Sequence, residues 1–179
     1  MSEVQVRAAG PEDAEAMASV YVAAAREAWG HIFGASNLLA LEPPVERLRA
    51  RIRGTSPPED VLVAEVGGTV CGFAIVRPSA DEGASPAREG ELDMIYTDPD
   101  SWGQGIGRAL LAATADLLSA RGFAEGTLWT AEENLRPRRV YEAAGWRPDG
   151  LSRERSWLGV RFRELRYRVV VNSRTAAQE

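Results

Sequence analysis

The segment Trp102-Gly103-Gln104-Gly105-Ile106-Gly107-Arg108 sets three glycines at steps of two, directly ahead of an amphipathic run. Ile106, Leu110, Ala113 and Leu117 follow at steps of four, three and four, which puts them on one helical face. A glycine-rich turn that opens a helix suits an anion. The first helical N–H groups lack carbonyls of their own to reach, the helix dipole favours negative charge there, and glycine lets the main chain approach a ligand closely. The segment therefore predicts a phosphate or pyrophosphate site. It is not a P-loop, because Arg108-Ala109 follows Gly107 where Lys-Ser/Thr would be needed. Its spacing also differs from the dinucleotide fingerprint, whose last two glycines are three apart. A glycine turn without a ligand is the plain alternative.

A second group of residues could handle protons. Glu91 and Asp93 stand two apart in a β-rich run and so share a face. Glu132 and Glu133 precede Asn134. Each acid is either a general base or an ordinary solvated carboxylate. Asn134 and Tyr141 lie about two helical turns apart and project to nearly the same side. Asn134 also suits a helix N-cap, and Tyr141 a core aromatic. Arg136, Arg138 and Arg139 make a small basic cluster: a solvated face, or a contact from Arg138 or Arg139 to phosphates. His31 is the sole histidine, and with no second ligand at useful spacing no metal site is expected. Cys71, inside an apolar strand, reads as packing and leaves no intrachain disulfide.

The elements that must position these groups follow from periodicity and punctuation. Val4 and Val6 alternate with polar neighbours as a short strand, and Gly10-Pro11-Glu12-Asp13 starts a helix through Ala14 to Trp29. Trp29 to Pro44 reads as an irregular, bulky connection, and Pro44 to Arg53 as a short basic helix. The β-rich runs 61–66 and 70–76, separated by Gly67-Gly68, predict a hairpin. Residues 79–89 form a loop, and Glu91 to Thr97 a strand ended by Asp98-Pro99. The helix from Ile106 closes at Gly122 as a left-handed C-cap. A strand at Gly126 to Thr130, a helix at Leu135 to Ala144 and a strand pair within 156–171, turned near Gly159, complete the chain. The alternation slips between Arg163 and Leu165, which marks a bulge or a shifted boundary there. One hairpin combined with strand–helix–strand crossovers implies an α/β (α+β) fold with a mixed sheet flanked by helices.

Ile95-Tyr96-Thr97-Asp98-Pro99 followed by Trp102 to Leu111 resembles the acetyl-CoA motif of the GNAT-type N-acetyltransferase superfamily, Arg/Gln-x-x-Gly-x-Gly/Ala running into a helix. Trp102 stands where the family often has Arg or Gln, which removes one charge contact from a loop that works mainly through main-chain N–H groups. Asn134-Leu135-Arg136-Pro137-Arg138-Arg139-Val140-Tyr141-Glu142-Ala143-Ala144-Gly145-Trp146 resembles the family's second segment, with Pro137 in place of Ala in a first turn that tolerates it. The resemblance implies a mostly antiparallel sheet of seven strands with about four helices. It implies acetyl-CoA as co-substrate, held by Ile95, Tyr96, Thr97, Trp102, Gly103, Gln104, Gly105, Ile106, Gly107, Arg108, Asn134 and Arg138. Tyr141 would face the sulfur and protonate the departing thiolate. Glu91, directly or through water, would take the amine's proton, with Glu133 as the alternative base. The acceptor would be an amine of a small molecule or peptide, and transfer would be direct. Trp29, His31, Ile32 and Phe33 fall in the segment that often lines the acceptor site, and a homodimer is common in the family.

The whole chain sets the outer bounds. At 179 residues one domain is expected over 1–171, with 172–179 as a frayed tail. An apolar share of 45% supports a packed core, and a formal charge of -5 argues against nucleic acid as a partner. No apolar run approaches the roughly 20 residues of a membrane span, and the first residues lack the pattern of a signal peptide. With a lone cysteine, a cytoplasmic setting is expected. A non-catalytic acyl-CoA-binding module of the same fold is the competing reading.

Overall fold

The computed structural model describes residues 3–54 and 59–171. Seven strands form one sheet: β1 (Val4–Ala8), β2 (Asp60–Val66), β3 (Thr69–Pro78), β4 (Glu89–Thr97), β5 (Glu125–Ala131), β6 (Arg147–Trp157) and β7 (Val160–Val170). Their order across the sheet is β1-β2-β3-β4-β5-β7-β6. Every neighbouring pair is antiparallel except β4 with β5. The β2–β3 hairpin turns on Gly67 and Gly68 at φ 59 and 81, a pair of left-handed residues that matches the twist of the strands it joins.

The longer helices are α1 (Ala14–Ala28), α4 (Val45–Ile52), α5 (Ile106–Ala120) and α6 (Leu135–Ala143), with two short ones, α2 (Gly30–Phe33) and α3 (Ala35–Leu39), between the first two. They divide between the faces of the sheet. On one face Leu110, Leu111 and Leu118 of α5 pack with Leu92, Leu128, Trp146 and Tyr167. On the other, Met17, Val20 and Tyr21 of α1 and Leu48 of α4 pack with Val63, Phe73 and Ile75. Among the described residues no helix is long and apolar enough to cross a membrane.

The feature that positions the site is a split in the sheet. β4 and β5 pair only at Glu89↔Glu125, Gly90↔Gly126 and Glu91↔Thr127. Beyond that point β5 stays in register with β7 as far as Ala131, and β4 stays paired to β3 as far as Thr97. The two strands therefore diverge into a wedge, and among the described residues the edge of β4 beyond Glu91 has no ladder partner on that side. At the vertex α5 presses directly on the sheet. A Cβ on Gly90 would lie 2.3 Å from Leu118 Cδ2, and one on Gly126 would lie 2.6 Å from Leu118 Cδ1. Opposite the wedge, the β3–β4 register shifts between Ile75 and Val76, which face Met94 and Leu92. Asp93 is the extra residue of a bulge, a device that bends a strand and re-aims its side chains.

The structure corrects three expectations. The connection after Trp29 is not irregular but holds α2 and α3. The penultimate strand begins at Arg147, well before Ser156. The register irregularity lies in β6, between Pro148 and Ser152, whereas β7 pairs without a break against β5. Gly150, at φ 88, supplies the kink. The frayed tail expected at 172–179 lies outside the described residues.

Candidate active site

The loop that leaves β4 is built to present main-chain donors. Asp98 accepts from the Asp100 N–H at 3.0 Å and starts a 3-10 turn, Pro99–Ser101. Gly103 and Gly105 then take φ 85 and 87, and Gly105 is the left-handed N-cap of α5. Added Cβ atoms at both would meet open space, so the backbone conformation, not crowding, demands glycine. Within this stretch the Gln104 N–H reaches Ser101 O at 3.4 Å and the Ala109 N–H reaches Gly105 O at 2.9 Å. Among the described residues, the amides of Gly103, Gly105, Ile106, Gly107 and Arg108 have no such acceptor. Gly105→Val forces a β-branched residue to positive φ, a strain of about 1–2 kcal/mol at this cap. Titration calorimetry should show acetyl-CoA binding about tenfold weaker, since ~1.4 kcal/mol is a factor of ten. Unchanged affinity would mean these amides are not the phosphate cradle.

Trp102 is fixed by its indole N–H, which donates to Thr97 Oγ1 at 3.0 Å and Thr97 O at 3.2 Å. Its ring carries the Arg136 guanidinium 3.8 Å from the ring centre. A cation thus reaches the start of the loop from α6, where the motif's own first position offers none. Arg138 faces inward: it donates to Glu132 O at 2.6 Å and to the Tyr167 hydroxyl at 3.0 Å, tying α6 to β5 and β7. Gly107 rests near Thr97 and Val140, so the start of α5, the end of β4 and α6 meet at the mouth of the wedge.

Ile95 packs on the α5 face, while Tyr96 sits in an aromatic group with Tyr21, Trp29 and Phe73 at 5.0, 5.7 and 5.4 Å between ring centres. Asn134 heads α6 but makes no side-chain cap, contrary to the plain N-cap role its position suggested. Its amide group, on a buried residue, has no hydrogen bond among the described residues.

Tyr141 is 8% exposed, its ring 6.0 Å from that of Tyr167. Its hydroxyl has no protein partner among the described residues. The only fully enclosed side-chain polar atom without one, among the described residues, is Thr114 Oγ1, so the Tyr141 hydroxyl keeps contact with solvent. Burial, and then the neighbouring Tyr167, hold this phenol above its ordinary value of 10. Burial does the same for Tyr96, with Tyr21 and then Tyr141 adding to it.

Glu91 lies at the vertex itself and is 5% exposed. Its Oε2 accepts from Arg77 Nε at 3.1 Å, while no donor reaches Oε1 among the described residues. Asp93 is clamped between Arg51 at 2.7 Å and Arg77 at 2.9 Å. Both acids line a cleft of about 280 Å³ below the wedge. Glu133 is exposed, and its main-chain oxygen lies 3.2 Å from His31 Nε2. His31 thereby pins α2 across the end of β5. Trp29 and Phe33 pack edge-on against Trp157 at 5.3 and 4.8 Å, walling one side of this region. Arg77 escaped the sequence reading because only the β3–β4 register brings it to Glu91. Arg136 was visible within the basic cluster, but nothing in the order of residues showed that it stacks on Trp102.

The sheet splits between two parallel strands, and the start of α5 stands at the mouth of the split. The chain belongs to the acetyltransferase (GNAT) family, whose model matches residues 18–146. An uncharacterized N-acetyltransferase, YuaI, of Bacillus subtilis is 29% identical over 163 residues, covering 90% of each chain. A mycothiol acetyltransferase of Thermobispora bispora is 33% identical over 89 residues; the match spans 50% of this chain and only 30% of that one. The fold is that of the paia N-acetyltransferase from Thermoplasma acidophilum, solved in complex with coenzyme A. Its TM-score is 0.72 at 20% identity, covering 92% of this chain and 98% of that one.

Proposed function

We propose that residues 1–171 form one catalytic domain that transfers the acetyl group of acetyl-CoA directly to an amine of a small molecule or peptide. The observation that carries this reading is the wedge. Among the described residues, five amides at its mouth have no main-chain acceptor, the β4 edge beyond Glu91 is unpaired, and the Tyr141 hydroxyl and Glu91 Oε1 have no protein partner. These residues fit acetyl-CoA. The amides of Gly103, Gly105, Ile106, Gly107 and Arg108 suit its pyrophosphate, and the Asn134 side chain and the open edge of β4 suit its amide-bearing arm. Acetyl-CoA supplies an acyl group activated as a thioester.

Glu91 Oε1 removes the proton of the incoming amine, directly or through one water in the cleft, so that nitrogen attacks as a neutral nucleophile. Main-chain amides on the free edge of β4 stabilise the negative charge that grows on the carbonyl oxygen. As the carbon–sulfur bond breaks, Tyr141 donates its proton to the departing sulfur and later regains one from solvent. Asn134 and the helix start keep the arm in line with this proton donor.

The deciding experiment is a panel of amines incubated with acetyl-CoA, read as free thiol released and as product mass. The panel covers amino acids, polyamines, aminoglycosides, peptide N-termini and lysine peptides. Acetyl-CoA binding with no amine-dependent thiol release would replace the enzyme by a non-catalytic acyl-CoA-binding module. Thiol release in step with N-acetylated product establishes the transferase.

A further inference from the structure

The cleft below the vertex says something about which amine is taken. Its lining carries both signs of charge: Arg77, Arg153 and Arg155 against Asp81, Glu91, Asp93 and Glu164. Most of these charges are already matched. Arg77 serves Glu91 and Asp93. Arg153 donates to Glu164 at 2.6 Å and lies over the Trp129 ring at 4.1 Å. Asp81 accepts from the Trp129 indole at 2.9 Å and from Arg166 at 2.9 Å.

Besides Glu164 Oε1, which has no donor among the described residues, two groups stand out. One is Glu91 Oε1, on a side chain more than nine-tenths buried that lines the cleft, with no donor among the described residues. The other is Arg155, on the same face of β6 as Arg153, with no acidic partner among the described residues. An apolar amine would leave this lining unsatisfied, and a polycation would gain nothing from Arg155. At roughly 30 Å³ per water, the volume accommodates a ligand of about ten heavy atoms.

Resting on the transferase reading above, we propose that the acceptor carries an anionic group, a carboxylate or a phosphonate, as well as its amine. Arg155 holds the anion while Glu91 receives the amine at the vertex. Arginine suits this role because its planar fork pairs with either anion through two hydrogen bonds. Arg155 is exposed and makes no ion pair among the described residues, so its replacement should leave the fold intact.

The test compares matched acceptors: α-amino acids, their carboxamides and the corresponding aminoalkyl phosphonates, with acetyl-CoA held saturating. In the wild type kcat/KM should favour the anionic members over the carboxamides by tenfold or more. In Arg155→Gln that ratio should collapse towards one, through KM more than kcat. The two anions separate within the same series, since the preferred one identifies the natural group. Wild-type turnover that is equal for carboxylate and carboxamide, or a ratio that survives Arg155→Gln, overturns this proposal and leaves the transferase standing. Absence of turnover with every amine, despite acetyl-CoA binding, overturns both.

Discussion

Tyr141→Phe is expected to lower kcat by about a hundredfold, the lower range of what a well-placed general acid contributes, with acetyl-CoA affinity near wild type. The substitution is clean. The hydroxyl holds no protein hydrogen bond, and the ring keeps its packing against Tyr167. Loss of rate therefore reports proton donation and not a disturbed helix. The pH dependence supplies a second reading. Burial raises this phenol above 10, so it stays protonated through the whole neutral and mildly alkaline range. An alkaline limb of kcat assigned to Tyr141 must then lie above pH 10, and must vanish in the phenylalanine variant. Stopped-flow and steady-state rates together check this. An unchanged kcat, with chemistry shown to be the slow step, removes Tyr141 from the mechanism.

Glu91→Gln should lower kcat/KM at pH 7 by about a hundredfold as well. Here the shape of the profile matters more than its depth. An amine such as lysine ionises near 10.4, so at neutral pH almost all of it needs a base. As pH rises the acceptor deprotonates itself, and the variant should climb towards the wild type. A deficit that stays constant across pH would instead make Glu91 a residue that orders the cleft. Glutamine retains a carbonyl oxygen to accept from Arg77, so the charge is removed while the hydrogen bond at Oε2 has a substitute. Asp93 is the poorer candidate, because guanidinium groups from two elements already hold it.

Local chemistry made much of this molecule legible in the sequence. Gly67-Gly68 specified a hairpin because two consecutive left-handed residues have few other uses, and Gly122 ended α5 at φ 83 for the same reason. The helix from Ile106 announced itself by its apolar stripe, and the turn that opens it by glycines placed just ahead of it. β6 was legible only at its end. It is an edge strand with one neighbour and mostly exposed side chains, so burial left no alternation to read before Ser156. The insertion of β7 between β5 and β6, and the divergence of β4 from β5, depend on pairings between distant segments. The partners of the candidate site residues were hidden in the same way. Arg77 beside Glu91, Arg136 on Trp102 and Arg138 turned toward Tyr167 are decided by register and helix docking, not by residue order.

The contact of Leu118 with Gly90 and Gly126 has a mechanical consequence. Leu118 and Ile106 sit near opposite ends of one rigid rod, about 18 Å apart at 1.5 Å per residue. The rod's far end is the proposed cradle for phosphate, and its near end bears on the two residues where the strands part. A single methyl added at the fulcrum meets the tip of the fully enclosed Leu118, so that side chain or the helix carrying it must shift. Under the proposed function, the grip on a ligand is thus calibrated from a place the ligand never visits.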